Sequence, residues 1–224
     1  MRRFHTFPWK IYADDPLWVP PLLPDRMRST DPKRGSFFQH GEAEFLSAFH
    51  DREMVGTLCV AVDHNTVERI GRREAIFGFF ECVDDPAVAE ALFDRADQWA
   101  RARGLSSLHG PFNLDYEDSY GVLTHGRDRK PAILCGHTPR YYVNLLEGLG
   151  FIPARAANIA LAVDLAEPPA QLERLRRAGD LARRRGHFSI RSADKRNWRE
   201  EAVNVHYLLN HSFDELADDP IPWP

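Results

Sequence analysis

The chain has 224 residues, of which 43% are hydrophobic and 28% are charged, the composition of an ordinary globular protein. Its net charge of -4 gives no electrostatic reason to expect a nucleic acid or an anionic membrane as a partner. The sequence has no long uncharged apolar run, so no transmembrane helix is predicted. Its three cysteines are widely spaced, which fits reduced thiols better than a disulfide framework. We therefore expect a cytoplasmic protein that binds neither nucleic acid nor membrane.

The first 40 residues are rich in proline and aromatic side chains. Six prolines between residues 4 and 38 exclude a long helix through this segment. Its apolar side chains, which include Trp9, Tyr12 and Trp18, are too many to leave in water, so the segment is expected to pack across the main core. It forms either a wall of a cleft or a plain cover over the core.

Residues 41–167 carry the pattern of an α/β domain. A hairpin is predicted over 43–63, with its turn at 51–53, and an apolar central strand over 75–83. A long amphipathic helix follows over 86–103, with Pro86 at its first turn and Gly104 past its end. A short strand at 107–109, a polar loop over 110–136, a helix over 139–149 and a strand over 158–165 complete the domain.

The remaining residues are predicted to form a linker helix and an incomplete second domain. Six arginines stand in the helix over 170–185, within the linker 168–186, and make it either a patch for phosphates or a solvated linker. A strand over 187–191 and a helix over 198–213 cannot bury a core alone. Residues 187–224 are therefore expected to lean on the first domain, to form a homodimer, or to open a domain that is cut short.

The order of these elements resembles the fold of the GNAT (Gcn5-related) N-acetyltransferases. The local matches are VGTL at residues 55–58, the strand and helix between 75 and 104, and YVNLLEGLGF at 142–151. The resemblance implies a mixed, mostly antiparallel sheet with flanking helices and a splayed pair of parallel strands. The chain also resembles a poorly characterised bacterial group with two such repeats, so that 187–224 is the start of a truncated second repeat.

The resemblance implies an N-acyltransferase, and acetyl-CoA or another acyl-CoA is the expected co-substrate. The expected acceptor is the amine of a small molecule or a peptide. Pantetheine is placed at the end of the central strand, and the pyrophosphate at the first amides of the next helix. The residues that the resemblance assigns to the cofactor are Cys82, Val83, Ala87, Val88 and Ala89.

Two departures from the family pattern support an alternative, a catalytically inactive module that binds another ligand or a partner. Asp84-Asp85-Pro86 replaces the glycine-rich pyrophosphate loop, and the two carboxylates repel an anion and favour the helix start. Leu146 stands where the family often has a tyrosine that protonates the leaving thiolate. Tyr142 lies one turn earlier on the same face and is the candidate replacement.

Several polar residues are candidates for chemistry. Glu81 ends an apolar strand, where it is either a base with a raised pKa or a carboxylate paired with a neighbour. The polar loop supplies candidates that either line an amine pocket or make turns: Asn113, Glu117, Asp118 and Tyr120.

Cysteine and histidine give weaker signals. Cys135 and His137 share a face if extended, but no third residue that orients the imidazole is evident in the sequence. The ten histidines have no metal-ligand spacing, so no metal is expected.

Overall fold

A computed structural model describes residues 1–114, 120–131, 135–161, 166, 170–186 and 191–212. The chain divides into two units, residues 1–158 and 159–224. None of the described helices is both long and apolar enough to cross a bilayer.

The first unit is built on one four-stranded sheet. Its strands, in spatial and chain order, are β1 (Gly41–His50), β2 (Glu53–Asp63), β3 (Glu74–Cys82) and β4 (Ser107–His109). β1, β2 and β3 pair antiparallel, and β4 runs parallel to β3. The prediction of an α/β chain with a mixed, mostly antiparallel sheet is therefore confirmed.

β3 pairs with β4 along only the first third of its length. It pairs with β4 only through Glu74–Ile76, and the rest of β3 runs on beside a loop. Between the pairs Cys59–Gly78 and Thr57–Glu81, β3 carries one more residue than β2, which makes a bulge. At the bulge Phe79 has φ of 47°, and its amide donates to Asn113 Oδ1 at 2.6 Å. The bulge sets the direction of the strand end that carries Glu81.

Short helices that the sequence pattern did not predict precede the sheet and follow β2. They are α1 (Arg2–Thr6), α2 (Pro8–Ile11) and α3 (Leu23–Ser29), with a 3₁₀ turn at Ser36–Gln39, and α4 (His64–Ile70). α1 is held by tertiary packing, since Phe4 is buried with its ring edge-on to Phe45 and close to Phe79. In α3, Arg26 lies over the ring of Phe79. The N-terminal segment thus packs on the sheet, as expected.

Two helices cover the sheet and form the main core. α5 (Pro86–Arg101) begins after β3, and α6 (Tyr141–Gly148) follows the long loop. Buried residues of α5 recur at helical spacing, and the ring of Phe93 contacts Phe77 and Phe80 of β3. The core residues that the two helices contribute are Ala89, Leu92, Phe93, Ala96, Trp99, Ala100, Tyr142, Leu145 and Leu146.

The second unit contains α7 (Ala170–Arg185), a 3₁₀ turn at Lys195–Asn197 and α8 (Trp198–Ser212), so both predicted helices are confirmed. The arginines of α7 are exposed. The strands predicted over 158–165 and 187–191 are not formed in the parts that the structure describes, since residues 158–161 and Arg191 are irregular. Those predictions are wrong at these positions, because alternating apolar residues alone do not supply a strand partner. Residues 162–165 and 187–190 lie outside the described residues.

Gly78 lets the loop after β4 approach β3, and this gives a prediction for stability. A Cβ added at Gly78 lies 2.0 Å from the backbone oxygen of Phe112, which cannot move alone. We expect Gly78→Ala to lower the free energy of unfolding by about 2 kcal/mol or more, measured by urea denaturation. Gly148→Ala is the matched control, because no atom lies near its added Cβ. Equal stability of the two variants contradicts the close approach.

Candidate functional site

The described residues bring Glu81 and Tyr142 into direct contact. Glu81 stands near the end of β3, and Tyr142 reaches it from the first turn of α6. The Tyr142 hydroxyl accepts a hydrogen bond from the backbone N–H of Cys82 at 2.9 Å. Its single proton is therefore directed at Glu81 Oε2, which lies 2.7 Å away. The hydroxyl connects the strand backbone to the carboxyl group.

Burial gives this carboxyl group an unusual affinity for protons. Desolvation raises the pKa of Glu81 to about 7, against the opposing effects of its hydrogen bonds with Tyr142 and Tyr12 and of the charge on Arg26. Burial and the nearby Glu81 also hold the pKa of Tyr142 well above its usual range. Near neutral pH, Glu81 is thus able to take up or release a proton while Tyr142 remains protonated.

Glu81 lines a cavity of about 440 Å³, a volume within the range of roughly 300–1,000 Å³ that is typical of small-molecule sites. The walls are largely apolar and come mainly from the N-terminal segment, the bulge of β3 and the loop between β4 and α6, with Thr57 of β2 and Tyr142 of α6. The N-terminal segment is therefore a wall of a cleft as well as a cover. The apolar lining residues are Phe4, Pro8, Trp18, Val19, Pro20, Pro21, Leu22, Phe79, Phe80, Pro111 and Pro131.

Two basic side chains of the N-terminal segment also line this cavity. Arg26 lies over the ring of Phe79 at 5.1 Å. His5 is buried, and desolvation together with the charge of Arg26 lowers its pKa to about 4, so it is neutral at neutral pH. His5 Nε2 donates to Thr30 Oγ1 at 2.8 Å, since that hydroxyl gives its own proton to the backbone oxygen of Arg26. Arg26 is thus the cationic group of the cavity wall.

The strand end expected to bind pantetheine is already hydrogen-bonded. The amide of Cys82 donates to Tyr142, and its carbonyl accepts from the Tyr141 hydroxyl at 2.7 Å. The amide of Val83 donates to Val55 O at 3.0 Å, and its carbonyl accepts from Asp85 N at 2.7 Å. A pantetheine chain that pairs here has to displace at least the two tyrosine hydroxyls.

The helix amides expected to bind the pyrophosphate are capped. Asp85 Oδ1 accepts from the amide of Ala87 at 2.9 Å. The carbonyl of Asp85 accepts from Val88 at 3.2 Å and from Ala89 at 3.3 Å. Pro86 has no amide hydrogen to offer. The first turn of α5 therefore presents no open N–H to an anion.

The candidate residues of the polar loop do not stay together. Asn113 lines the cavity, and its side-chain oxygen is held by the amide of Phe79. Tyr120 is about half exposed, and its hydroxyl accepts from Asn158 Nδ2 at 2.8 Å; neither residue lines the cavity. Glu117 and Asp118 lie outside the described residues. Among the described residues, no group of three or more acidic, histidine or cysteine side chains is arranged to hold a metal.

Sequence reasoning missed Tyr12 and Arg26 as parts of the site. The Tyr12 hydroxyl donates to the backbone oxygen of His137 at 3.0 Å and also contacts the carboxyl of Glu81. Both residues are distant from Glu81 in the chain, and no local pattern marks them. The only available signal was the excess of apolar residues around them, which indicated that the segment packs on the core.

Comparisons with known proteins give two relatives. Over 156 residues the chain is 36% identical to the bacterial ceramide synthase of Caulobacter vibrioides (strain NA1000 / CB15N), a stretch of 69% of this chain and 41% of that protein. Over 151 residues it is 32% identical to protein YghO of Escherichia coli (strain K12), or 67% of this chain and 38% of that protein. The chain thus spans about two fifths of the length of these curated relatives. No protein-family profile and no solved structure matches the chain.

The raised pKa of Glu81 predicts a pH-dependent stability. Its pKa is about 7 in the folded chain against an ordinary 4.5, so between these values the folded state binds more protons than the unfolded state. The stabilisation is complete below pH 4.5 and is lost as pH rises through 7. We expect the free energy of unfolding of the wild type, relative to Glu81→Gln, to fall by about 3 kcal/mol between pH 4 and pH 8. If urea denaturation gives the wild type and Glu81→Gln the same pH dependence of the free energy of unfolding across this range, the raised pKa is contradicted.

The capping role of Asp85 gives a second stability prediction. Removing the cap exposes the amide of Ala87, so Asp85→Ala is expected to lower the free energy of unfolding by about 1 kcal/mol. Asp85→Asn keeps a capping oxygen and is expected to change it little. Asp84→Ala is the control for a lost carboxylate at the neighbouring position. A loss as large in Asp84→Ala as in Asp85→Ala rules out the specific cap.

Proposed function

We propose that this chain transfers an acyl group from an acyl-CoA thioester to the nitrogen of an amine, with Glu81 as the base, directly or through water. The observation that carries the proposal is the Glu81–Tyr142 contact at 2.7 Å, in an apolar cavity where burial raises the pKa of Glu81 to about 7. A base whose pKa lies near the working pH combines the correct protonation state with a useful driving force.

In the proposed step, the amine nitrogen attacks the thioester carbonyl and passes a proton to Glu81. The C–N bond forms, the C–S bond breaks, and the departing thiolate takes this proton back from Glu81, directly or through water, so that the carboxylate is restored. Tyr142 positions the carboxylate of Glu81 through the hydrogen bond that it donates. Arg26 contributes a positive charge to the cavity wall, which favours the negative oxygen of the tetrahedral intermediate.

The fold supports this class of reaction. A strand that pairs with its parallel neighbour at one end and then separates from it is the arrangement that a resemblance to GNAT proteins implies. In that arrangement Glu81 occupies the end of the central strand, beside the separation. We therefore propose a GNAT-like fold for the first unit.

The comparison with the ceramide synthase supports the same reaction class. A ceramide is the amide of a fatty acid and a long-chain amino alcohol, so a protein with that name forms an amide at an amine. The apolar wall of prolines and of Trp18, Val19 and Leu22 is suited to an alkyl chain. We propose that one of the two substrates carries such a chain. Acetyl-CoA is the short acyl donor with which a long-chain donor such as palmitoyl-CoA is compared.

The occupied strand end and the capped helix favour a second candidate function. A chain whose amides near Ala87 and whose backbone at Cys82 are already hydrogen-bonded has little to offer to CoA in the usual GNAT manner. In this candidate function the cavity binds a small molecule without turnover. Binding of an amine without any acyl transfer from acetyl-CoA or palmitoyl-CoA distinguishes it from the first.

Replacement of Glu81 tests the catalytic proposal. With palmitoyl-CoA and hexadecylamine as substrates, we expect Glu81→Gln to lower kcat/KM about 100-fold or more, because the amide cannot accept the proton. The wild-type kcat/KM is expected to rise with pH through about 7, as Glu81 loses its proton. Amide product is measured by mass spectrometry.

Glu90→Gln is the matched control, since Glu90 is exposed on α5 and undergoes the same chemical change. We expect it to retain wild-type rates. Full activity of Glu81→Gln, or no amide product from the wild type with either acyl-CoA, overturns the proposal.

A further inference from the structure

A histidine and an aspartate from distant parts of the chain meet at the same cavity. His137 Nε2 lies 2.7 Å from Asp15 Oδ2, and the His137 side chain is 5% exposed. A second hydrogen bond holds the Asp15 side chain in place, because its Oδ1 accepts from the backbone amide of Leu17 at 2.9 Å. Asp15 is therefore the orienting group for His137 that the sequence did not reveal.

The carboxylate of Asp15 fixes which nitrogen of the ring carries the proton. The hydrogen bond from His137 holds the pKa of Asp15 below its usual range, so this carboxylate only accepts hydrogen bonds. Nε2 must then bear a proton. In the neutral imidazole this leaves a lone pair on Nδ1, which is an acceptor.

Nδ1 of His137 is buried and has no hydrogen-bond partner among the described residues. Buried polar atoms in folded proteins almost always have a partner, and an unpaired one is costly. His137 lines the cavity that contains Glu81. A ligand N–H or O–H group that reaches Nδ1 from this cavity satisfies the unpaired nitrogen.

Tyr12 connects His137 to the proposed base. Its hydroxyl donates to the backbone oxygen of His137 and contacts the carboxyl of Glu81, so the two residues border one region of the cavity. The ring of Tyr12 stacks on Trp18 at 4.8 Å between centroids, which holds the connection rigid.

We propose that Nδ1 of His137 accepts a hydrogen bond from the amine substrate, and that Asp15 is the positioning residue that fixes the tautomer of His137. The inference rests on the proposed function. A primary amine has two N–H groups: one loses its proton to Glu81, and His137 holds the other. A secondary amine has only one, so the site is specific for primary amines.

A matched pair of substrates tests this specificity. With palmitoyl-CoA as donor, we expect the wild type to prefer hexadecylamine over N-methylhexadecylamine by about tenfold or more in kcat/KM, the value of one hydrogen bond. His137→Leu removes the acceptor, and Asp15→Asn permits the other tautomer, as in catalytic triads. Both variants are expected to lose most of the preference, whereas His125→Leu, at an exposed position, keeps it. An unchanged preference in His137→Leu and Asp15→Asn overturns the proposal.

Nitrogen NMR of the histidine-labelled wild type provides a test that needs no variant and no turnover. Addition of saturating hexadecylamine is expected to shift the Nδ1 resonance of His137. Calorimetry on the same sample reports whether the amine binds. Binding with an unshifted His137 resonance overturns this inference alone, whereas absence of amine binding contradicts the proposed function itself.

Discussion

The hydroxyl group of Tyr142 is the contact on which the candidate site depends. It accepts from the backbone of Cys82 and donates to Glu81, so it joins α6 to the end of β3 and sets the position of the carboxyl group. The contact exists because the bulge in β3 and the separation of β3 from β4 leave this backbone edge unpaired. Buried backbone groups require partners, and Tyr141 and Tyr142 supply them at Cys82.

The same contact has a consequence for cofactor binding. An edge that the tyrosines satisfy is an edge that pantetheine does not reach without displacing them, and Asp85 closes the neighbouring helix start. The cavity, in contrast, lies on the side of the N-terminal segment, where apolar walls surround the carboxyl of Glu81. The groups of this site that can take part in a reaction are therefore Glu81 and its apolar surroundings. The part of this edge that the structure describes does not offer a preformed binding site for an anion.

Local pattern marks the longer elements of the first unit: strand-forming residues around a turn mark β1 and β2, an apolar run marks β3, and helical spacing with Pro86 and Gly104 marks α5. It failed for α1 to α4, which are short and depend on tertiary contacts. Within the site, the place of Glu81 at a strand end indicates it as a candidate, the family resemblance indicates Tyr142, and the residue type of Asp85 indicates the cap. Tyr12, Arg26 and the Asp15–His137 pair were not, because long-range contacts of a proline-rich segment leave no periodic trace in the sequence.

The titration of the Glu81 side chain tests the central claim most directly. Carbon-13 NMR of the glutamate carboxyl groups, with Glu81→Gln used to assign the resonance, reports its pKa in the folded chain. The account predicts a midpoint near pH 7 for Glu81. A midpoint near the ordinary 4.5 would show a solvated carboxylate and contradict the assignment of Glu81 as a buried base.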